Sequence, residues 1–91
     1  MSNRSNNSPR FDIIYNLKIK FVISDKQDLI IPAINKTSKI LEIKEIIRDS
    51  INIVPKYQVL VDRENKLLND SDLISSTSIK RNDTIYCMIA L

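Results

Sequence analysis

The chain opens on ten polar residues and then begins to alternate. From Tyr15 onward, Leu17, Ile19, Phe21 and Ile23 stand on one side and Lys18 and Lys20 on the other. This period of two marks a strand with one apolar and one charged face. Ser24-Asp25-Lys26-Gln27 supplies a turn, and Leu29-Ile30-Ile31-Pro32-Ala33-Ile34 returns as the second strand of a hairpin. Pro32 has no N–H to give to a ladder, which puts this strand at a sheet edge. The period then lengthens: Ile40, Ile43, Ile47 and Ile51 line one face of a helix, and Ile46 widens it. Glu42, Lys44, Glu45, Arg48 and Asp49 are expected on its flanks or outer side. Thr37 or Ser38 is the expected N-cap. Asn52 stands where a left-handed residue is wanted, and Val54-Pro55 stops the helix.

Tyr57 to Val61 reads as a third strand, and a turn through Asp62-Arg63-Glu64-Asn65 leads to a short fourth, Lys66-Leu67-Leu68. A polar loop over 69–80 has Leu73 or Ile74, then Ile79, as apolar anchors. Arg81-Asn82-Asp83 turns into a last strand from Thr84 to Ala90. A chain of 91 residues has room for one core and not two. Residues 1–12 read as a disordered polar tail, and 13–91 as the domain. One helix crossing a mixed sheet of four to five strands buries both apolar faces, so the fold class is α+β.

Composition narrows the chemistry. The net charge of +3 is spread along the chain with acids between the bases. A nucleic-acid surface needs a basic stripe interleaved with aromatics, so neither DNA nor RNA is an expected partner. No segment reaches the length of a membrane span and the N-terminus lacks a signal-peptide core, so no membrane is expected. Cys87 is the one cysteine, which rules out an internal disulfide and suits a reducing compartment, the cytoplasm and/or the nucleus. With no histidine and no glycine, the chain has no phosphate-cradling loop and no metal-spaced Cys/His set. Asp70-Ser71-Asp72 and Asp62/Glu64 read as solvated turn formers. Cys87 alternates with Tyr86 and Met88 and should face the core, where a thiol is packing and not a nucleophile. The expectation is a protein that is not an enzyme, with no cofactor and no metal.

From Leu17 to Ile89 the residues resemble the ubiquitin family. The helix positions Ile40, Ile43-Lys44 and Ile47 carry the likeness. So do Ile53-Val54-Pro55 (similar to Ile-Pro-Pro), Gln58-Val59-Leu60-Val61 (similar to Gln-Arg-Leu-Ile), Leu68-Asn69-Asp70, and Ile79 with Thr84-Ile85. The resemblance implies a β-grasp roll. It also implies a non-conjugating type, because no glycine follows Cys87-Met88-Ile89-Ala90-Leu91 to form the Gly-Gly end that activation requires.

The resemblance further implies where partners bind. Alternation turns Leu60, Ile85, Cys87 and Ile89 inward and leaves Val59, Val61, Tyr86 and Met88 outward. In the ubiquitin family these strands are neighbours, and Val61, Tyr86 and Met88 match its Ile/His/Val interaction surface, with Val59 at the margin. The expected function is non-covalent protein binding through this exposed apolar patch, as an integral domain of a larger protein. Its partners would carry ubiquitin-binding motifs of the proteasome or segregase pathways. The family's hairpin leucine is replaced here by Ser24-Asp25-Lys26, the arginine beside the patch by Val59, and the basic tail is absent, so partners that grip the leucine turn or the tail should bind poorly. A small single patch on a monomer leads to an expectation of weak, transient affinity. Two alternatives stand beside this reading: a covalent modifier whose Gly-Gly lies beyond Leu91, and a Ras-association or PB1-type adaptor that binds by charge through Lys20 and Asp70/Asp72.

Overall fold

The computed structural model describes residues 12–22 and 26–90. The proposed tail up to Phe11, and Ile23, Ser24 and Asp25 of the predicted hairpin, lie outside them. Among these described residues, five strands and one α-helix follow in the order β1 (Ile13–Phe21), β2 (Leu29–Asn35), α1 (Ile40–Ile51), β3 (Gln58–Val61), β4 (Leu67–Leu68) and β5 (Thr84–Ile89). The sheet runs β2-β1-β5-β3-β4. Strands β1 and β5 lie parallel at its centre, and the other neighbours pair antiparallel. A mixed sheet with one helix across it is the α+β β-grasp.

The hairpin contains a local irregularity. Tyr15 pairs with Ala33 and Leu17 with Ile31, which sets Asn16 opposite Pro32. Tyr15 and Asn16 are both exposed, as are Pro32 and Ala33, so both strands change their in–out phase at one step without slipping register. The cause is local: Asn16 is left-handed (φ 57), and Pro32 has no N–H to give. With β2 at the edge, the proline interrupts no second ladder. Asp12, assigned to the tail, accepts the Lys36 N–H at 2.6 Å and so already belongs to the hydrogen-bonded fold.

The helix packs Ile40, Ile43 and Ile47 onto the sheet, all fully buried, against Leu17, Ile19, Leu60, Ile85 and Cys87. Its start departs from expectation. Lys39, not Thr37 or Ser38, is the N-cap, and no side chain caps it. The free amides are served from a distance instead: Ile40 donates to the Asp72 carbonyl and Leu41 to that of Asp70. Lys44 is also corrected, because it is buried and its ammonium bonds the Asp70 carboxylate at 2.6 Å. At the other end Asn52 is left-handed (φ 62) and donates to the Arg48 carbonyl, as a helix C-terminus requires.

Strand ends also shift. Pro55–Tyr57 forms a short 3-10 turn, so β3 begins at Gln58 and not at Tyr57. Lys66 lies outside β4 and Ala90 outside β5. Of the two candidate anchors in the polar loop, Ile74 is fully buried and Leu73 is exposed.

Candidate functional site

The outer face of the sheet, away from the helix, takes its pattern from strand register. Val61 pairs with Tyr86 of β5 and with Leu67 of β4, while Val59 pairs with Met88. On the far side of β5, Lys20 pairs with Tyr86. One row therefore reads Lys20–Tyr86–Val61–Leu67, and the next carries Met88 and Val59. The four sequence-chosen residues lie side by side on two adjacent strands.

One of them is not exposed. Val61 is only 8% accessible, because Tyr86 and Leu67 flank it on both sides of the ladder. It forms the floor of a shallow depression whose walls are Val22, Tyr86 and Met88, with Asp62, Arg63 and Asn65 at its polar rim. Val59, Tyr86 and Met88 are half-buried. The residues that stand out furthest are Val22 and Leu67, each 54% exposed, and sequence reasoning missed both. Leu67 was legible: it precedes the inward Leu68 on β4 and so had to point outward. Val22 follows the last residue of β1, where alternation no longer specifies direction.

The turn beside this face is built on two buried carboxylates, Asp62 and Asp83, and Asp62 is not the solvated turn former expected of it. Asp62 Oδ1 accepts the N–H groups of Glu64 and Lys66, at 2.8 and 2.9 Å, and its Oδ2 accepts the Ser78 hydroxyl at 2.9 Å. The Lys66 amide bond is the largest influence holding its carboxyl below the ordinary range, and the Ser78 and Glu64 bonds add to it against the opposing effect of burial. Asp83 accepts the Arg63 guanidinium at 2.8 Å and the Lys80 N–H at 2.9 Å. These bonds tie the β3–β4 turn to the segment that leads into β5, so the depression is framed by fixed backbone.

Behind the sheet, Gln58 fastens β3 to the helix. Its side-chain amide donates to the Lys44 carbonyl at 2.9 Å and to that of Ile53 at 2.8 Å. Cys87 lies in the core among Ile19, Ile85 and Leu60, where burial raises its thiol pKa to about 11. At neutral pH it is protonated and unreactive. Among the described residues, no group of three or more His, Cys, Asp or Glu is placed to hold a metal ion, and no helix is long and apolar enough to cross a membrane.

No protein-family model matches the sequence, and no curated protein matches it either. The three-dimensional arrangement does have counterparts. The UBL domain of Plasmodium falciparum Dsk2 superposes with a TM-score of 0.72 at 17% identity, over 84% of this chain and 97% of that one. The ubiquitin of Caldiarchaeum subterraneum superposes with a TM-score of 0.76 at 12% identity, over 85% of this chain and 94% of that one. The fold is ubiquitin-like. At these identities the likeness lies in the backbone. The outer face of this chain carries the Val61 floor, the Val22 and Leu67 margins, and the paired Arg63 and Asp83.

Proposed function

We propose that this ubiquitin-like domain is a non-catalytic, non-covalent protein-docking module, and that its outer sheet face is the docking surface. One observation carries the reading. Leu67, Tyr86, Met88 and Val59 gather around Val61 on paired strands, with Val22 just past the end of β1 beside them, and the two outermost, Val22 and Leu67, are more than half exposed. Apolar side chains clustered on a fixed surface mark a partner site. Tyrosine and methionine suit such a surface, the first with a rigid amphipathic ring and the second with an adaptable thioether. A partner presenting one short apolar helix fits this shallow face. The structural likeness to the Dsk2 UBL domain fits a proteasome-related docking module; segregase-pathway partners and a cytoplasmic or nuclear location are part of the same proposal. A monomer with one small patch binds weakly and exchanges fast.

The test is a titration of isotope-labelled protein with a helical ubiquitin-binding peptide. Amide shifts should centre on Val59, Val61, Tyr86 and Met88 and spread to Val22 and Leu67. Shifts confined to the helix face or to the β1–β2 edge would reject this surface. An ATP-dependent thioester formed by the full-length protein would replace docking with conjugation.

A further inference from the structure

A separate cleft of about 280 Å³ lies between the β3–β4 turn and the 3-10 turn Ile74–Ser76. That is just under the range of small-molecule pockets, about 300–1,000 Å³, and suits one extended side chain. Leu67 and Leu68 give it an apolar wall, and the remaining lining is polar. Its polar groups are acceptors, because their protons are already spent. The Ser76 hydroxyl donates to the Leu73 carbonyl at 2.8 Å, that of Thr77 to the Ile74 carbonyl at 2.7 Å, and that of Ser78 to Asp62 Oδ2 at 2.9 Å. Backbone donors are used up in the same way. The Glu64 and Lys66 N–H groups go to Asp62 Oδ1, that of Asp72 to the Asn69 carbonyl, and those of Ser76 and Thr77 to the Leu73 and Ile74 carbonyls. A hydroxyl that has donated still has lone pairs, and a carboxylate has about four acceptor sites. Asp62, only 3% exposed, uses three of them and keeps one among the described residues. The lining sets three carboxylates, of Asp62, Glu64 and Asp72, against one ammonium, that of the exposed Lys66. The carboxylates do not converge as metal ligands: among the described residues no three acidic, His or Cys groups are placed to hold an ion.

We propose that this cleft receives a lysine side chain of a partner polypeptide, its stem along Leu67 and Leu68 and its ammonium among the acceptors of Asp62, Glu64 and Ser78. An ammonium suits walls that only accept, since it has three donors and no acceptor. The four-carbon stem covers apolar surface while the charged head stays in a polar setting. Arginine fits less well. Its planar fork wants both oxygens of one carboxylate, and both oxygens of Asp62 are already engaged by the protein. The inference is independent of the docking surface on the outer sheet face.

The test is a titration of the isotope-labelled full chain with three capped amino acids that share an unbranched stem. They are N-acetyl-lysine methylamide, its ε-trimethyl form, and N-acetyl-norleucine methylamide. The trimethyl form keeps the charge but has no N–H donor on its head, and norleucine lacks both charge and donors. The lysine derivative should shift the amides of Asp62, Thr77 and Ser78. It should bind about three- to fivefold more tightly than either control, the upper range of an exposed ion pair. Lys66→Gln removes the competing ammonium and should tighten lysine binding about twofold, whereas Glu64→Gln should weaken it about twofold. Equal affinity of the lysine and trimethyl-lysine derivatives would reduce the cleft to a diffuse acidic surface and overturn the inference. Lysine shifts that leave these three amides untouched would overturn it as well. Concentration-dependent shifts of the cleft without additive would make a second copy's lysine the occupant and overturn a separate partner. The comparison of the three ligands on the unaltered chain decides the matter even if a variant folds poorly.

Discussion

Among the described residues, left-handed backbone is supplied by asparagine. Asn16, Asn52, Asn65 and Asn82 have φ between 57 and 67, in a sequence with no glycine at all. Asparagine tolerates this region because its short polar side chain can bond locally, whereas other L-residues lose about 1–2 kcal/mol there. Asn52→Ala or Asn82→Ala should therefore destabilise the fold by about 1 kcal/mol, and the glycine replacements should stay within about 1 kcal/mol of the parent. Urea denaturation of the four variants checks this. A second prediction concerns Asp62. Its folded pKa is lowered from an unfolded value of about 3.9. Its contribution is then fully present above that value and fades as pH falls through the lower folded pKa, where the unfolded chain binds more protons. Acid titration of stability should show a steeper loss below about pH 4 in the parent than in Asp62→Asn. Equal slopes would mean that the Lys66, Glu64 and Ser78 bonds do not favour the charged carboxylate.

At the scale of the element, the helix and the loop over 69–72 are one unit. The loop carbonyls of Asp70 and Asp72 take the first helical amides, and the Asp70 carboxylate meets the buried Lys44. The pair is asymmetric, because Lys44 is nearly inaccessible while the Asp70 side chain is 49% exposed. Asp70→Ala strands an ammonium in the interior and should destabilise by about 2 kcal/mol, below the 3–5 typical of fully buried pairs because Asp70 is half in water. Lys44→Met leaves behind only a carboxylate that water can solvate, so it should cost less. Thermal melts of both variants test the order. Element identity was legible from period together with turn signals: alternation marks β1, the isoleucine spacing marks α1, and the turn through Asp62-Arg63-Glu64-Asn65 leads to the short β4. The cap was not, because Thr37 and Ser38 have the right chemistry and what displaces them is a backbone segment some thirty residues further on. Nor was the fate of Lys44, whose buried position depends on an acid brought alongside only by folding.

On the proposed function, the apolar surfaces on the two sides of the sheet have different duties. Behind the sheet, Ile40, Ile43 and Ile47 exclude water completely. In front, Tyr86 and Met88 are only half covered. Ile47→Ala should cost about 2–5 kcal/mol, enough to unfold a large share of so small a domain. Tyr86→Ala and Met88→Ala should change stability by about 1 kcal/mol or less while removing peptide binding. Denaturation and titration on the same samples separate the two duties. If the Tyr86 variant kept its binding, the front face would not be the docking surface.

The β-grasp came from the resemblance. Alternation and spacing along the chain were enough to specify most of the residues that face inward, the order of strands and helix, and where each element runs to within a residue or two. These follow from neighbours one to four positions apart, whose geometry is set by the backbone itself. The depth of Val61, the exposure of Val22 and Leu67, the burial of Asp62 and Asp83 and the tethering of Arg63 follow from strands and turns distant in sequence. Alternation states that a side chain points outward; only the packed neighbours across the ladder decide how much of it water still reaches.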